Sequence, residues 1–225
     1  MEKLRLAVFV SGSGSNFQAI VDSCRRPGYP AEVAVVVSNN PKAYALERAK
    51  AAGVPAVVVD HRAFDSRAGH EKEILRQLEP FGAKLAVLAG YMRVVTPVLL
   101  DAFRGRVGNL PSVVNIHPAD TRSYQGIHGY EFALGLLPDH PRRLERTWIT
   151  VHFVDPGVDT GPIIRQEPVP VFPDDDLEAL KRRGLEVEHR IYPEVIEWIA
   201  KGRIELDGNR VLLDGRPVVL ASDGR

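Results

Sequence analysis

Three short segments carry side chains that could do chemistry. The first, Val114-Asn115-Ile116-His117-Pro118, puts an amide and an imidazole two residues apart at the end of an apolar run. If that run is a strand, both side chains point to the same side. An amide and an imidazolium can donate together to a developing oxyanion while the imidazole manages a proton. A lone histidine is more often a structural residue, so the pair needs a partner. The second segment, Asp155-Pro-Gly-Val-Asp159-Thr-Gly-Pro162, is a turn-rich loop whose carboxylates are either turn formers or, at Asp159, that partner. The third is Ser11-Gly12-Ser13-Gly14-Ser15-Asn16, where glycines let the backbone turn tightly and free N–H groups at a helix start suit a phosphate. A plain strand-to-helix turn is the bland alternative. A dinucleotide fits less well than a monophosphate: Phe17 stands where the third glycine of that fingerprint belongs, and Ser38-Asn39-Asn40 offers no ribose-binding acid.

These segments need a scaffold, and the hydrophobic pattern describes one. Unbroken apolar runs at Leu6 to Val10, Val33 to Val37, Ala56 to Val59, Leu85 to Ala89 and Val113 to Ile116 read as buried strands. Helical spacing lies between them, at Phe17, Ile20 and Val21, at Tyr44 to Ala52, and at Ile74, Leu75 and Leu78. The alternation predicts a Rossmann-like α/β core, a mostly parallel sheet with helices on both faces. Ser11 to Asn16, Gly90 to Arg93 and Asn115 to His117 then fall at the carboxyl ends of strands, where open α/β sheets bind ligands. The Asp155 to Gly161 loop joins them there if the strand over Thr147 to Val154 runs parallel to its neighbours. After residue 145 the pattern changes to an antiparallel extension over Thr147 to Val154 and Ile163 to Val169. A long late helix from Leu177 to Ile199 follows, with acids at its positive end and a bend expected at Pro193. A C-terminal hairpin turns at Asp207-Gly208.

The chain has 225 residues, with 44% hydrophobic and 26% charged side chains, which excludes disordered, collagenous and membrane-spanning classes. Lys and Arg number 29 and so do Asp and Glu, leaving no net field for nucleic acid or an acidic membrane. Cys24 is the single cysteine, so no internal disulfide forms, and the first apolar run is too short for a secretory signal. A cytoplasmic protein is expected. His70-Glu71 lacks a second histidine one turn on, there is no Gly-x-Ser-x-Gly elbow, and Cys24 reads as buried filler.

Several of these stretches, taken in order, resemble phosphoribosylglycinamide formyltransferase: residues 10–20, Ala63 to Arg67, Leu88 to Arg93, Asn115 to Pro118, Val151 to Val154, Asp159 to Ile164 and Glu188 to Pro193. The resemblance implies a single domain over 1–225, with a nucleotide-binding half (1–110), a catalytic and folate half (111–200) and a C-terminal hairpin (201–225). It implies transfer of a formyl group from 10-formyltetrahydrofolate, as co-substrate, to the amine of glycinamide ribonucleotide in purine biosynthesis, with no metal. Asn115, His117 and Asp159 match the family's catalytic residues. Gly14, Ser15, Asn16 and Glu188 match its phosphate and ribonucleotide contacts, and Arg67, Met92, Arg93, Val95, Val154 and Asp155 its folate site. Small-molecule substrates are the expected partners, with no nucleic acid or membrane, for a monomer or homodimer.

The chain departs from its relatives at Ala119-Asp120-Thr121-Arg122, where they carry Ser-Leu-Leu-Pro, and at Leu185, where some carry lysine. Residues 138–146 are longer and more basic than usual and read as a surface loop. Two enzyme rivals and one binder remain. A formyltetrahydrofolate deformylase would use the same three side chains with water as acceptor, but carries an N-terminal regulatory domain for which a strand beginning by residue 6 leaves no room. A methionyl-tRNA formyltransferase adds an RNA-binding domain, for which the 27 residues after Trp198 leave none. A non-catalytic folate- or nucleotide-binding protein would not need the three polar residues together.

Overall fold

The structure, a computed structural model, describes residues 2–220. Met1 and residues 221–225, the last five positions of the expected C-terminal segment, lie outside the described residues. The apolar runs form β1 (Leu4–Val10), β2 (Ala31–Ser38), β3 (Ala56–Val58), β4 (Leu85–Leu88) and β5 (Val113–His117), all parallel. With β6 (Arg146–Phe153) and β7 (Ile163–Pro170) they make a seven-stranded sheet in the order β3-β2-β1-β4-β5-β6-β7. The outer strands are the three-residue β3 and β7, which carries Pro168 and Pro170.

Helices cover both faces because successive strand residues point to opposite sides. Leu6, Val8, Val36, Val87, Val114 and Val151 face one core, filled by α1 (Ser15–Cys24), α5 (Gly129–Leu134) and α6 (Leu177–Ala200). Ala7, Phe9, Val35, Val37, Ala86, Leu88 and Val113 face the other, filled by α3 (Arg67–Leu78) and α4 (Pro97–Phe103). That second core ends at Val113. The face of β5 and β6 beyond it receives no helix from this cluster, and there Asn115 and His117 emerge.

Local signals set the helix ends. The α2 helix (Ala45–Ala52) stops at Gly53 in the left-handed region, at φ 68. Asp176 accepts the Ala179 N–H at 2.7 Å to start α6, which runs unbroken through Pro193. A small antiparallel sheet, β8 (Ile204–Asp207), β9 (Arg210–Leu213) and β10 (Arg216–Pro217), closes the described chain. The expected hairpin is β8–β9, and β10 adds a strand that the sequence pattern did not signal. Cys24 is half-buried against the first core rather than fully buried.

The antiparallel extension after residue 145 is present, and the condition that would bring the Asp155 to Gly161 loop out at the carboxyl end of the sheet is not met. β6 runs antiparallel to β5, with Asn115 opposite His152 and His117 opposite Thr150. A parallel neighbour needs a crossover that carries the chain back along the sheet. Here the connection, residues 118–145, forms no crossover and holds only the six-residue α5, and the chain enters β6 at the end where it left β5. The Asp155 to Gly161 loop therefore leaves the sheet low, where the Val154 N–H donates to Val113 O at 2.9 Å, and must fold back to reach Asn115.

The loop between β4 and α4 is anchored from α3. Buried Glu71 accepts the Thr96 N–H at 2.7 Å, the Thr96 hydroxyl at 2.5 Å and the Leu99 N–H at 3.2 Å, serving as a borrowed cap for α4. Replacing it leaves buried N–H groups unpaired. Glu71→Ala is expected to lower the unfolding free energy by about 2–3 kcal/mol in urea denaturation, and a loss under about 0.5 kcal/mol would show that the cap is dispensable.

Candidate functional site

The uncovered face of β5 and β6 and the loops at its rim converge on Asp159. Its Oδ1 accepts Asn115 Nδ2–H at 3.2 Å and lies 3.4 Å from His152 Nε2. Its Oδ2 accepts the Gly126 N–H at 2.8 Å and lies 3.7 Å from His117 Nδ1. Three segments far apart in the chain thus meet at one carboxylate whose side chain is 12% exposed. Asp159 is itself left-handed at φ 52, a conformation aspartate tolerates better than most residues. Gly161 permits the return path, since a Cβ there would lie 1.9 Å from Phe153 O. Asp155 is spent inside the loop, accepting the Gly157 N–H at 3.0 Å and the Thr160 hydroxyl at 2.6 Å, so it is the turn former of the two acids.

The ring protons follow from the acceptors. His117 Nε2 sits 3.1 Å from Tyr124 O, and a carbonyl only accepts, so this nitrogen carries the proton and Nδ1 faces Asp159 bare in the neutral ring. His152 Nδ1 likewise donates to Phe153 O at 2.8 Å. His152 Nε2 lies 3.3 Å from Asn115 Nδ2, within hydrogen-bond reach. Burial pushes the His117 pKa below its ordinary 6.5. Asp159 pulls it up, but His152 adds to the depression and burial prevails. With its pKa lowered, the His117 ring favours the neutral form at pH 7. Burial would raise the Asp159 carboxyl, yet the His152 contact, the His117 charge and the Gly126 N–H hold it below the usual carboxylate range.

A second cluster lies at the start of α1. Gly14, at φ 71, caps the helix without any side-chain bond, leaving the first N–H groups free of a capping side chain. Its lack of a Cβ serves packing: one built there would meet Ala45 Cβ at 2.5 Å, whereas Gly12 has open space. Asn16 Nδ2 donates to Glu188 Oε2 at 2.5 Å across 172 residues. Arg48 flanks this loop, donating from Nε to Ser13 O at 2.9 Å.

The expected folate residues are dispersed around the rim. Met92 is 64% exposed and its N–H donates to Ser11 Oγ at 2.8 Å, while Ser11 donates onward to Asn39 Oδ1 at 2.5 Å, joining the β1 and β4 loops. Arg93 Nε is buried without a partner among the described residues. Val95 is buried in the second core and Val154 packs against it, so both offer mainly backbone to a ligand. Arg67 is exposed where α3 begins, one turn before Glu71.

The profile of the formyl transferase family matches residues 4–196. Phosphoribosylglycinamide formyltransferase of Haemophilus influenzae is 37% identical over 212 residues, covering 94% of each chain. The chain belongs to this formyltransferase family. The Escherichia coli enzyme of the same name is 36% identical over 213 residues, covering 95% of each chain. Among solved structures, glycinamide ribonucleotide transformylase 1 from Symbiobacterium toebii superposes with a TM-score of 0.85 at 43% identity, covering 94% of both chains.

Within this family fold, sequence reasoning missed two groups that touch the site residues. His152 was legible in principle: in a strand whose Ile149, Val151 and Phe153 fill the core, position 152 must share the face of its cross-strand partner Asn115. Tyr130 was not, because its contact with Glu188 spans 58 residues and two helices. The altered Ala119 to Arg122 loop is held by Asp120, which accepts Arg122 Nε at 2.9 Å and Gln166 Nε2 at 3.1 Å. Among the described residues no group of three or more His, Cys, Asp or Glu is placed to hold a metal ion, and no helix is long and apolar enough to cross a membrane.

Both site shifts make the folded state bind fewer protons than the unfolded chain. The His117 share of stability is intact above pH 6.5 and is lost as pH falls through the folded pKa; the Asp159 share is lost further down, below the ordinary carboxylate value of 3.8. Asp159→Asn removes the one charge that raises His117. Its imidazole should titrate at lower pH than in the unaltered protein when followed by NMR, and an unchanged or higher value would contradict the assigned geometry.

Proposed function

We propose that this chain transfers the formyl group of 10-formyltetrahydrofolate to the amine of glycinamide ribonucleotide, with Asn115, His117 and Asp159 as catalytic residues. The observation that carries the reading is the convergence of Asn115 and His117 on the Asp159 carboxylate. The names of the relatives agree with it. The Gly14 to Asn16 segment supplies helix N–H groups for the acceptor's phosphate, and Glu188 binds its ribonucleotide portion. Arg67, Met92, Arg93, Val95, Val154 and Asp155 form the folate side, with Asp155 acting through backbone because its carboxylate is committed to its own turn.

The acceptor amine attacks the formyl carbon, forming the new C–N bond and pushing the carbonyl electron pair onto oxygen. Asn115 turns an Nδ2–H from its resting partners to that oxyanion. His117, neutral at the outset, takes the excess amine proton at Nδ1, and the resulting imidazolium is stabilised by Asp159 and now opposes the oxyanion. Collapse breaks the bond to the folate nitrogen, which receives the proton from His117. The amine has lost one proton and the leaving nitrogen has gained one, so the charge balances. A neutral resting imidazole suits this sequence, since a base must be empty before it can act.

Tetrahydrofolate formation should require both 10-formyltetrahydrofolate and glycinamide ribonucleotide. Equal formation without the acceptor would make the protein a hydrolase, and binding without turnover would make it a binding module. Asn115→Ala should lower kcat by roughly 10²–10³ with little change in acceptor affinity; near-unaltered turnover would remove Asn115 from the mechanism.

A further inference from the structure

Glu188 is buried on α6, and both of its oxygens are engaged. Oε2 accepts Asn16 Nδ2–H at 2.5 Å and Oε1 accepts the Tyr130 hydroxyl at 2.6 Å. Tyr130 comes from α5, at the end of the segment that begins with the altered Ala119 to Arg122 stretch. Its ring can lie there only because of Gly184, one turn before Glu188 on the same face of α6. A Cβ at 184 would stand 2.2 Å from the Tyr130 hydroxyl, 2.5 Å from Cε1 and 2.6 Å from Cζ. Glycine within a helix is unfavourable relative to alanine. Gly184 is not among the positive-φ residues, so backbone freedom does not explain it, whereas room for an aromatic ring does.

What remains free in this cluster is acceptor capacity. A carboxylate can accept about four hydrogen bonds, and two are supplied from within. Asn16 Oδ1 is buried with no partner among the described residues. Oxygen acceptors at the edge of a phosphate cradle suit the hydroxyl groups of a sugar phosphate.

We propose that Tyr130 is a positioning residue of the acceptor site: its hydroxyl, admitted by Gly184, fixes the Glu188 carboxylate so that the acceptor's sugar hydroxyls meet a preset group. This rests on the reading of Asn16 and Glu188 as acceptor-binding residues. A carboxylate held by two donors from different helices keeps one orientation; with Tyr130 removed it is tethered only by Asn16, and ligand binding must supply the ordering.

Tyr130→Phe deletes one oxygen and keeps the ring. Steady-state kinetics should show the KM for glycinamide ribonucleotide rising on the order of tenfold, with kcat and the KM for 10-formyltetrahydrofolate little changed. With a 2′-deoxy acceptor the penalty should shrink, since fewer sugar hydroxyls then depend on Glu188. Gly184→Ala, which leaves the hydroxyl but evicts the ring, should give the same KM signature and keeps the test available if the first variant folds poorly. An unchanged acceptor KM in a folded variant, or an equal penalty for ribose and deoxyribose acceptors, overturns the assignment. If the unaltered protein turns over normally in that experiment, only the role of Tyr130 falls; if it shows no acceptor-dependent turnover, the functional reading above falls with it.

Discussion

A carboxylate withdrawn from water is tolerated only when enough dipoles and protons surround it, and the Asp159 carboxylate meets that condition with groups from β5, β6 and the segment after β5. The dependence runs both ways. Asn115 Nδ2 and the Gly126 N–H are each held by an Asp159 oxygen. The loop that carries Asp159 is shaped to deliver it, through a left-handed residue, a glycine that lets the chain pass under Phe153 O, and an internal clasp made by Asp155. Backbone strain of this kind persists where the surroundings over-determine it.

The sheet explains why that meeting happens where it does. Helices α3 and α4 cover one face only as far as Val113, so the polar residues of β5 that share this parity, Asn115 and His117, come out into a space lined by loops. The antiparallel turn of the chain into β6 then places His152 directly beside Asn115. A parallel β6 would have carried its following loop to the carboxyl end of the sheet; the observed loop starts low and climbs back, which requires more of its glycines and of Asp159's backbone.

Much of this was legible in the sequence, for identifiable reasons. Buried parallel strands announce themselves as unbroken apolar runs, and Gly53, Asp176 and the Asp207-Gly208 turn mark element ends by local chemistry. The parity of Asn115 and His117 follows from the pleat alone. What a linear reading could not supply were properties set by packing. The direction of β6 depends on the path of residues 118–145, the charge of His117 on how deeply it is buried, and the use of Gly14 on the nearness of Ala45. Tyr130 and Gly184 are complementary in shape across two helices, and neither carries a mark of that in its own neighbourhood.

The margins of the large sheet carry a different lesson. β3 offers a neighbour only three residues, and in β7 the two prolines have the same parity, so both missing amides fall on the outward side of a strand whose inner side is paired to β6. Another molecule attempting to dock its own backbone alongside would find too short a template at one border and absent donors at the other. Coalescence of copies into a continuous cross-molecular ribbon through the large sheet is thereby disfavoured.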